Sequence, residues 1–253
     1  MTSRSDHYSY RHYANAHVAS DFDDLRFGGP IGQLVAESQE HVLLQFLGDV
    51  TGRAVLDVGT GTGRAALALA RRGAVVTGVD ASKEMLRLAT ERAKDADLAV
   101  QFLPGDAHAL QFADRAFDAV VCFRLLMHAP DWRRCLGELC RVARECVVVD
   151  YPAACSFAAL QASGRRVAYA AGARTEPYRV FADATIAAAL QQAGFSVTDR
   201  HKQFVLPIAV HKRLGSRWLT ERIERALGKA GVTHRFGSPV TVVAQRRDVC
   251  MSL

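Results

Sequence analysis

The chain is predicted to fold as a doubly wound α/β sandwich, with a mostly parallel seven-stranded sheet, an antiparallel pair at one edge, and added helices at the N-terminus and in an insert. Three observations predict it. Short, continuously apolar strands alternate with helical segments between Ala54 and Asp150, the pattern of a parallel sheet covered on both faces. The first strand runs straight into a Gly-rich turn that opens a helix, the usual anion-facing junction of such sheets. Two later β-type runs, Phe204–Val210 and Val240–Ala244, are separated by a helical detour, which suggests an antiparallel pair at a sheet edge.

The elements follow in order. Residues 1–30 are rich in His, Tyr and Asp, and from Ile31 to Leu47 the apolar positions Leu34, Val35, Val42, Leu43, Phe46 and Leu47 recur at helical spacing, predicting an amphipathic helix laid on a core. Ala54–Val58 is a buried strand, followed by a helix from Arg64 to Arg72 that Gly73 ends. Ala74–Val79 is the second strand, and the helix after it starts at Ser82, a good N-cap, and reaches Lys94. Leu98–Leu103 and Phe117–Phe123 are the third and fourth strands; Asp131 caps a helix reaching Ala143, and Cys146–Asp150 is the fifth strand. Beyond it the pattern loosens. Ala153–Tyr178 reads as an inserted helix and loop, Asp183–Ala193 as a short helix ended by Gly194, and Arg217–Leu227 as an amphipathic helix with Leu219, Ile223 and Leu227 on one face.

The length of 253 residues suits one large domain, and is ample for a core that needs no covalent staples. With 49% apolar and 23% charged residues, the chain is neither disordered, collagen-like nor a disulfide scaffold. The net charge of +6 is unevenly placed: Ser196–Arg247 holds eleven Lys and Arg against three acids, a local +8. Six cysteines show no CxxC pair and no metal-ligand spacing, and several lie in apolar runs, as buried reduced thiols do. His7, His12 and His17 stand five residues apart, neither i, i+3 nor i, i+4, so no metal is expected. With no hydrophobic leader, and no apolar run near the roughly 18 residues that span a bilayer, the expected location is the cytoplasm.

The chemistry is concentrated in Val55-Leu56-Asp57-Val58 and the following Gly59-Thr60-Gly61-Thr62-Gly63. Glycine lets the backbone turn sharply and approach a ligand without a Cβ. Seventeen residues after Gly63, at the end of the second strand, comes Asp80, an acid suited to accepting from both ribose hydroxyls. Together they define a site for an adenosine-containing cofactor. A dinucleotide turn would read G-x-G-x-x-G, but this one is G-x-G-x-G with Arg64 at the third dinucleotide position. The neighbouring acid Asp57 suits a ligand bearing a positive amino group better than a pyrophosphate.

Val55 to Gly63 resembles motif I of the class I S-adenosylmethionine-dependent methyltransferases, and Gly78-Val79-Asp80-Ala81-Ser82 is similar to their motif II. Gly105-Asp106-Ala107 and the run through Leu110, Phe112, Asp114 and Phe117-Asp118-Ala119-Val120 resemble the segment that joins their adenine contact to the fourth strand. The resemblance covers residues 50–150. It implies a Rossmann-like methyltransferase fold and S-adenosyl-L-methionine as cofactor. It also implies that Gly59, Thr60, Gly61 and Gly63 line its methionine and ribose side, that Asp57 fixes the amino group through water, and that Asp80 holds the ribose. Ala81 or Met85 would pack on adenine, Asp106 and the Ala107 N–H would meet its edge, and Phe123 and Arg124 would touch the methionine portion. Arg124 is alternatively a solvated arginine or a carboxylate partner.

In similar enzymes an N-terminal segment closes over the cofactor, and Tyr10, Tyr13, Phe22 and Phe27 are the candidates here. Many small-molecule members, including the quinone-biosynthesis C-methyltransferases, carry a His where His128 stands, so His128 is the candidate base; the alternative is a packing or hydrogen-bonding role. The expected layout is a single domain, 1–253, with 1–48 as lid and helix, 50–150 as cofactor-binding core and 151–253 framing the acceptor. The expected reaction is O- or C-methylation of a small acceptor: a quinone precursor, lipid or secondary metabolite. Base-directed enzymes of the family carry an Asn/Asp-Pro-Pro-aromatic run where this chain has Cys122-Phe123-Arg124-Leu125, which disfavours nucleic acid. A tRNA or rRNA methyltransferase using the basic stretch is the alternative within the enzyme class, and a non-catalytic cofactor-binding regulatory module the alternative outside it. Much of that stretch alternates with apolar helix positions, and a Glu221–Arg225 pair at i, i+4 would make it a solvated face.

Overall fold

The computed structural model describes residues 27–170 and 178–248; Tyr10, Tyr13, Phe22, the three N-terminal histidines and Cys250 lie outside them. The chain forms α1 (Gly29–Leu47), β1 (Ala54–Val58), α2 (Arg64–Ala70), β2 (Val75–Asp80), α3 (Lys83–Asp95), β3 (Val100–Pro104), β4 (Phe117–Cys122), α4 (Trp132–Val142) and β5 (Ala143–Tyr151). It continues through α5 (Phe157–Ala170), α6 (Asp183–Gln192), β6 (Phe195–Phe204), α7 (Ile208–Leu214), α8 (Arg217–Lys229), α9 (Val232–Phe236) and β7 (Ser238–Arg246). The strands form one seven-stranded sheet in the order β3-β2-β1-β4-β5-β7-β6. β1 to β5 pair in parallel, and β7 runs antiparallel to both β5 and β6. The doubly wound sheet with an antiparallel edge is therefore observed.

Alternation along each strand builds the two layers of the core. Val55, Val121, Val148 and Val243 point to one face, where Leu43 and Leu47 of α1 and Leu69 of α2 cover them. Their neighbours Leu56, Val58, Val120, Val147, Val149 and Val242 point to the other, against Leu136 and Leu139 of α4 and Ile186 and Leu190 of α6. Cys122, Cys135, Cys140 and Cys146 are buried and free, whereas Cys155 is exposed. The predicted caps are in place: the Ser82 side chain accepts from the Met85 N–H at 3.2 Å and Asp131 from the Arg134 N–H at 3.1 Å.

Two expectations are corrected. The penultimate strand is Phe195–Phe204, not Phe204–Val210. An edge strand with one solvated face needs no apolar run, so its polar middle, Asp199 to Lys202, reads as a loop. The apolar run instead meets Pro207, which has no N–H to donate and sits as the N-cap of α7. Glu221 pairs with Arg217, at 2.9 Å, rather than with Arg225, and Arg217 also reaches Glu37 of α1 at 2.7 Å. Much of the basic stretch is spent inside the fold. Arg200 and Lys202 meet Asp183 at 3.2 and 3.0 Å, and Arg246 donates to the carbonyls of Cys140 and Ala143.

Candidate active site

At β1 the chain order reverses, with β2 and β3 lying to one side and β4 to the other. A crevice at the carboxyl ends of the strands is expected at such a switch point. It is present as a cleft of about 870 Å³ whose wall includes Gly59, Gly61, Asp80, Ala81, Met85, Ala107, Phe123, Arg124 and His128. The turn after β1 is tied to the end of β2: the N–H groups of Gly59 and Thr60 both donate to the Val79 carbonyl, at 2.8 and 3.0 Å. Gly59 has φ +72°, and a Cβ there would lie 3.1 Å from Leu125. Gly61 has φ +55° and faces open space, so a ligand can come down onto the backbone.

Asp80 stands on the cleft wall with its carboxylate fixed from both sides. Its Oδ2 accepts from the Gly61 N–H and its Oδ1 from the Ser82 N–H, each at 2.8 Å. Burial raises its pKa against the lowering effect of those bonds. The Ala81 N–H bonds to it as well, so three backbone groups fix the orientation in which the carboxylate faces the cleft.

Asp57 stands behind the cleft wall. It is 2% exposed and is not part of the cleft wall. Its Oδ2 accepts from the Thr60 hydroxyl at 2.7 Å and the side chain also takes the Ala66 N–H, while burial lifts its pKa to about 6. Asp57 therefore braces the Gly turn against the first turn of α2, with Thr60, likewise buried, as the other half of the brace. Gly63 also leaves the cleft: it is the left-handed N-cap of α2, and a Cβ there would lie 3.0 Å from Ala89 and 3.1 Å from Phe102. Its role is close packing, the task a dinucleotide turn gives to the following position. Arg64, at that position, lies 3.5 Å from the centroid of the Phe27 ring.

Asp106 stands beside the cleft, its Oδ1 bonded to the His108 N–H at 2.9 Å and to the His108 ring Nδ1 at 2.7 Å. His108, which sequence reasoning missed, is itself part of the wall. Tyr13 is outside the described residues, so the structure does not bear on it.

On the far side of Arg124 and His128 lies a second hollow, of about 1350 Å³, bordered by both of them and by Met127, Asp150, Phe157 and Tyr178 among others. Asp150 is the functional candidate that sequence reasoning missed. It ends β5 and is 3% exposed; its Oδ1 accepts the Arg124 N–H, and its Oδ2 meets Gln39 Nε2 at 3.5 Å. Burial lifts its pKa to about 6. That acceptor holds Arg124 at φ +58°, a left-handed backbone in a non-glycine residue, a strain that persists only where surroundings enforce it. The available signal was the acid at the end of an apolar parallel strand, the same pattern that marks Asp80. The loop carrying His128 is held from outside: the Arg179 N–H donates to Met127 O and its guanidinium to Ala129 O, both at 3.0 Å. His128 is 6% exposed and borders both hollows.

Residues 55–145 match the family described as "Methyltransferase domain". Among curated relatives, a demethylmenaquinone methyltransferase of Thermus thermophilus is 43% identical over 103 residues, 39% of this chain and 47% of that protein. A ubiquinone biosynthesis O-methyltransferase of Alkalilimnicola ehrlichii is 43% identical over 88 residues, 34% of this chain and 36% of its own. The matched segment thus spans less than half the length of these relatives. Among solved structures, magnesium protoporphyrin IX methyltransferase from Synechocystis with bound SAH superposes with a TM-score of 0.60 at 19% identity, covering 85% of this chain and 84% of that one. A 4+2 cyclase, SpnF, superposes at 0.58 with 22% identity, covering 83% and 80%. At such identities the likeness concerns the fold. The family match falls on the segment that carries the Gly turn and Asp80.

Proposed function

We propose that the protein transfers the methyl group of S-adenosyl-L-methionine to an oxygen or carbon of a small organic acceptor, a quinone precursor, lipid or secondary metabolite. One observation carries the reading: the cleft built on the Gly turn and the larger hollow beside it share Arg124 and His128. Two ligands placed in the two hollows would meet there. The named activities of the relatives, on menaquinone and ubiquinone precursors, support a small acceptor. The engagement of Arg200, Lys202, Arg217 and Arg246 in contacts within the fold weakens the case for RNA.

The residues present fit the cofactor. Gly61 opens the backbone, Asp80 offers a preset acceptor pair for a ribose, and Ala81, Met85 and Ala107 form an apolar slot for a purine. Asp106 would meet the purine edge, and Phe123 and Arg124 the methionine end; Asp57 braces the turn and would reach the amino group through water. When bound, the cofactor supplies an electrophilic sulfonium methyl. The chain's task is then alignment and exclusion of water. As the acceptor's new bond to carbon forms, its hydroxyl or enol proton must leave, and His128 at the junction is placed to take it. A cytoplasmic setting is part of the same reading, supported by buried thiols such as Cys140, pushed up to about 12 by burial; among the described residues no helix is long and apolar enough to cross a membrane.

The test is methyl-labelled cofactor offered with phenols, quinols and total RNA, alongside Asp80→Ala. Label is expected in a small acceptor, and the variant is expected to lose cofactor binding by calorimetry. Label confined to RNA, or binding with no transfer to any acceptor, would overturn the proposal; unchanged affinity in Asp80→Ala would overturn the cofactor site.

A further inference from the structure

We propose that helices α7 to α9 form a docking face for an anionic lipid surface, with Trp218 entering the headgroup layer between cations. Among the described residues the exposed large apolar side chains are unevenly placed: all but Val75 lie on α5, α7, α8 and α9, outside residues 55–145. On α8, Trp218, Arg222, Arg225 and Lys229 follow one another at i, i+4, i+7 and i+11 and line one shallow surface groove, a stripe roughly 16 Å long at the helical rise. Trp218 is 64% exposed, and the Arg222 guanidinium lies 4.7 Å from the centroid of its ring. The neighbouring helices repeat the combination. Leu214 and Arg213 are exposed on α7, and on α9 the Arg235 guanidinium lies 5.4 Å from the centroid of the exposed Phe236 ring.

The acids of α8 do not offset these cations. Glu221 pairs with Arg217 at 2.9 Å, and Glu224 is turned inward to the N–H groups of Val205 and Leu206 and to His211. Arg213, Arg225 and Lys229 meet no carboxylate among the described residues. An exposed indole beside long Arg and Lys side chains suits the layer between hydrocarbon and phosphate, which accepts the ring, the alkyl stems and the charges each at its own depth. Nucleic acid would use the cations and the ring but not the exposed Leu214 and Val210, and a second copy docked on the same face would set like charges against each other. The face also has a place in the reaction proposed above. α7 borders the outer hollow through Ile208 and Ala209, and the exposed Phe157 of α5 borders it as well. Where that hollow is read as the acceptor site, docking of α7 brings its rim to the lipid, and an acceptor dissolved in lipid enters without crossing water.

The experiment is flotation of the full chain with phosphatidylcholine vesicles, with and without about a third phosphatidylglycerol, read together with tryptophan emission. Binding to the anionic vesicles is expected to exceed binding to phosphatidylcholine alone by about tenfold or more, and to fall in high salt. The chain's other tryptophan, Trp132, is buried, so a blue shift and loss of acrylamide quenching on binding are expected from Trp218 and are expected to vanish in Trp218→Phe. Arg225→Gln/Lys229→Gln is expected to bind anionic vesicles about tenfold more weakly, with an unchanged urea midpoint reporting that it is folded. No binding, equal binding to both vesicle types, a folded double variant that binds as the wild type does, or a shift that survives Trp218→Phe would each overturn the proposal. So would protection of Trp218 by RNA or by raised protein concentration but not by vesicles. Vesicle binding without methyl transfer to any acceptor would refute the proposed function and leave the docking standing; transfer without vesicle binding would do the reverse.

Discussion

Replacing Asp150 with Asn separates the charge of this residue from its hydrogen bond. The buried carboxylate has a pKa raised from 3.8 to about 6, a shift worth on the order of 3 kcal/mol at about 1.4 kcal/mol per unit. The sign follows from proton binding: between about pH 4 and 6 the folded chain holds a proton that the unfolded chain has released, so stability falls as pH rises through that window and is flat above it. Asn keeps an oxygen for the Arg124 N–H and is never ionised. At pH 8, Asp150→Asn is therefore expected to be more stable than the wild type by up to about 3 kcal/mol, with the gap closing by about pH 4. Asp150→Ala leaves the Arg124 N–H without its acceptor and is expected to be less stable than the Asn variant by about 1–3 kcal/mol. The assay is urea unfolding at one-unit steps from pH 4 to 8, read as midpoints at constant slope. A pH-independent difference, or an Asn variant less stable than the wild type at pH 8, would refute the reasoning.

Two further outcomes follow from the same geometry. Gly59→Ala must hold an alanine at φ +72° with its Cβ 3.1 Å from Leu125; a loss of about 1–2 kcal/mol from the left-handed backbone and a fall in cofactor affinity by calorimetry are expected, and unchanged values would mean that the turn relaxes freely. Glu224→Ala removes the carboxylate that accepts from the N–H groups of Val205 and Leu206, at 2.8 and 3.0 Å, and from His211 Nε2 at 2.8 Å. At least tenfold faster amide exchange is expected at Val205 and Leu206, with the acceptor KM raised more than kcat is lowered; protection equal to the wild type would show that Glu224 does not hold this part of the outer hollow.

What the residues alone determined is the part governed by local rules. The doubly wound order, the Gly turn, the caps Ser82 and Asp131 and the acid Asp80 are legible because strand periodicity, left-handed φ and N-terminal N–H groups each demand particular residue types within a few positions. The edge strand Phe195–Phe204 was not legible, because pairing with β7 on one side and solvent on the other leaves no apolar signature. Nor was the division of labour among the glycines and acids of the turn. Asp57 and Asp80 both follow apolar strand residues, yet alternation and α2 turn one into a buried brace while the other stands on the cleft wall. Asp150 acquires its raised pKa and its hold on Arg124 from burial beside residues 26 and 111 positions away. The basic stretch shows the same dependence: its +8 is set by the chain, but which cations are spent on Asp183 and Glu37 and which face the outer hollow depends on how distant elements pack. Local sequence chooses backbone conformations, whereas burial and charge pairing are set by neighbours that only the folded chain brings together.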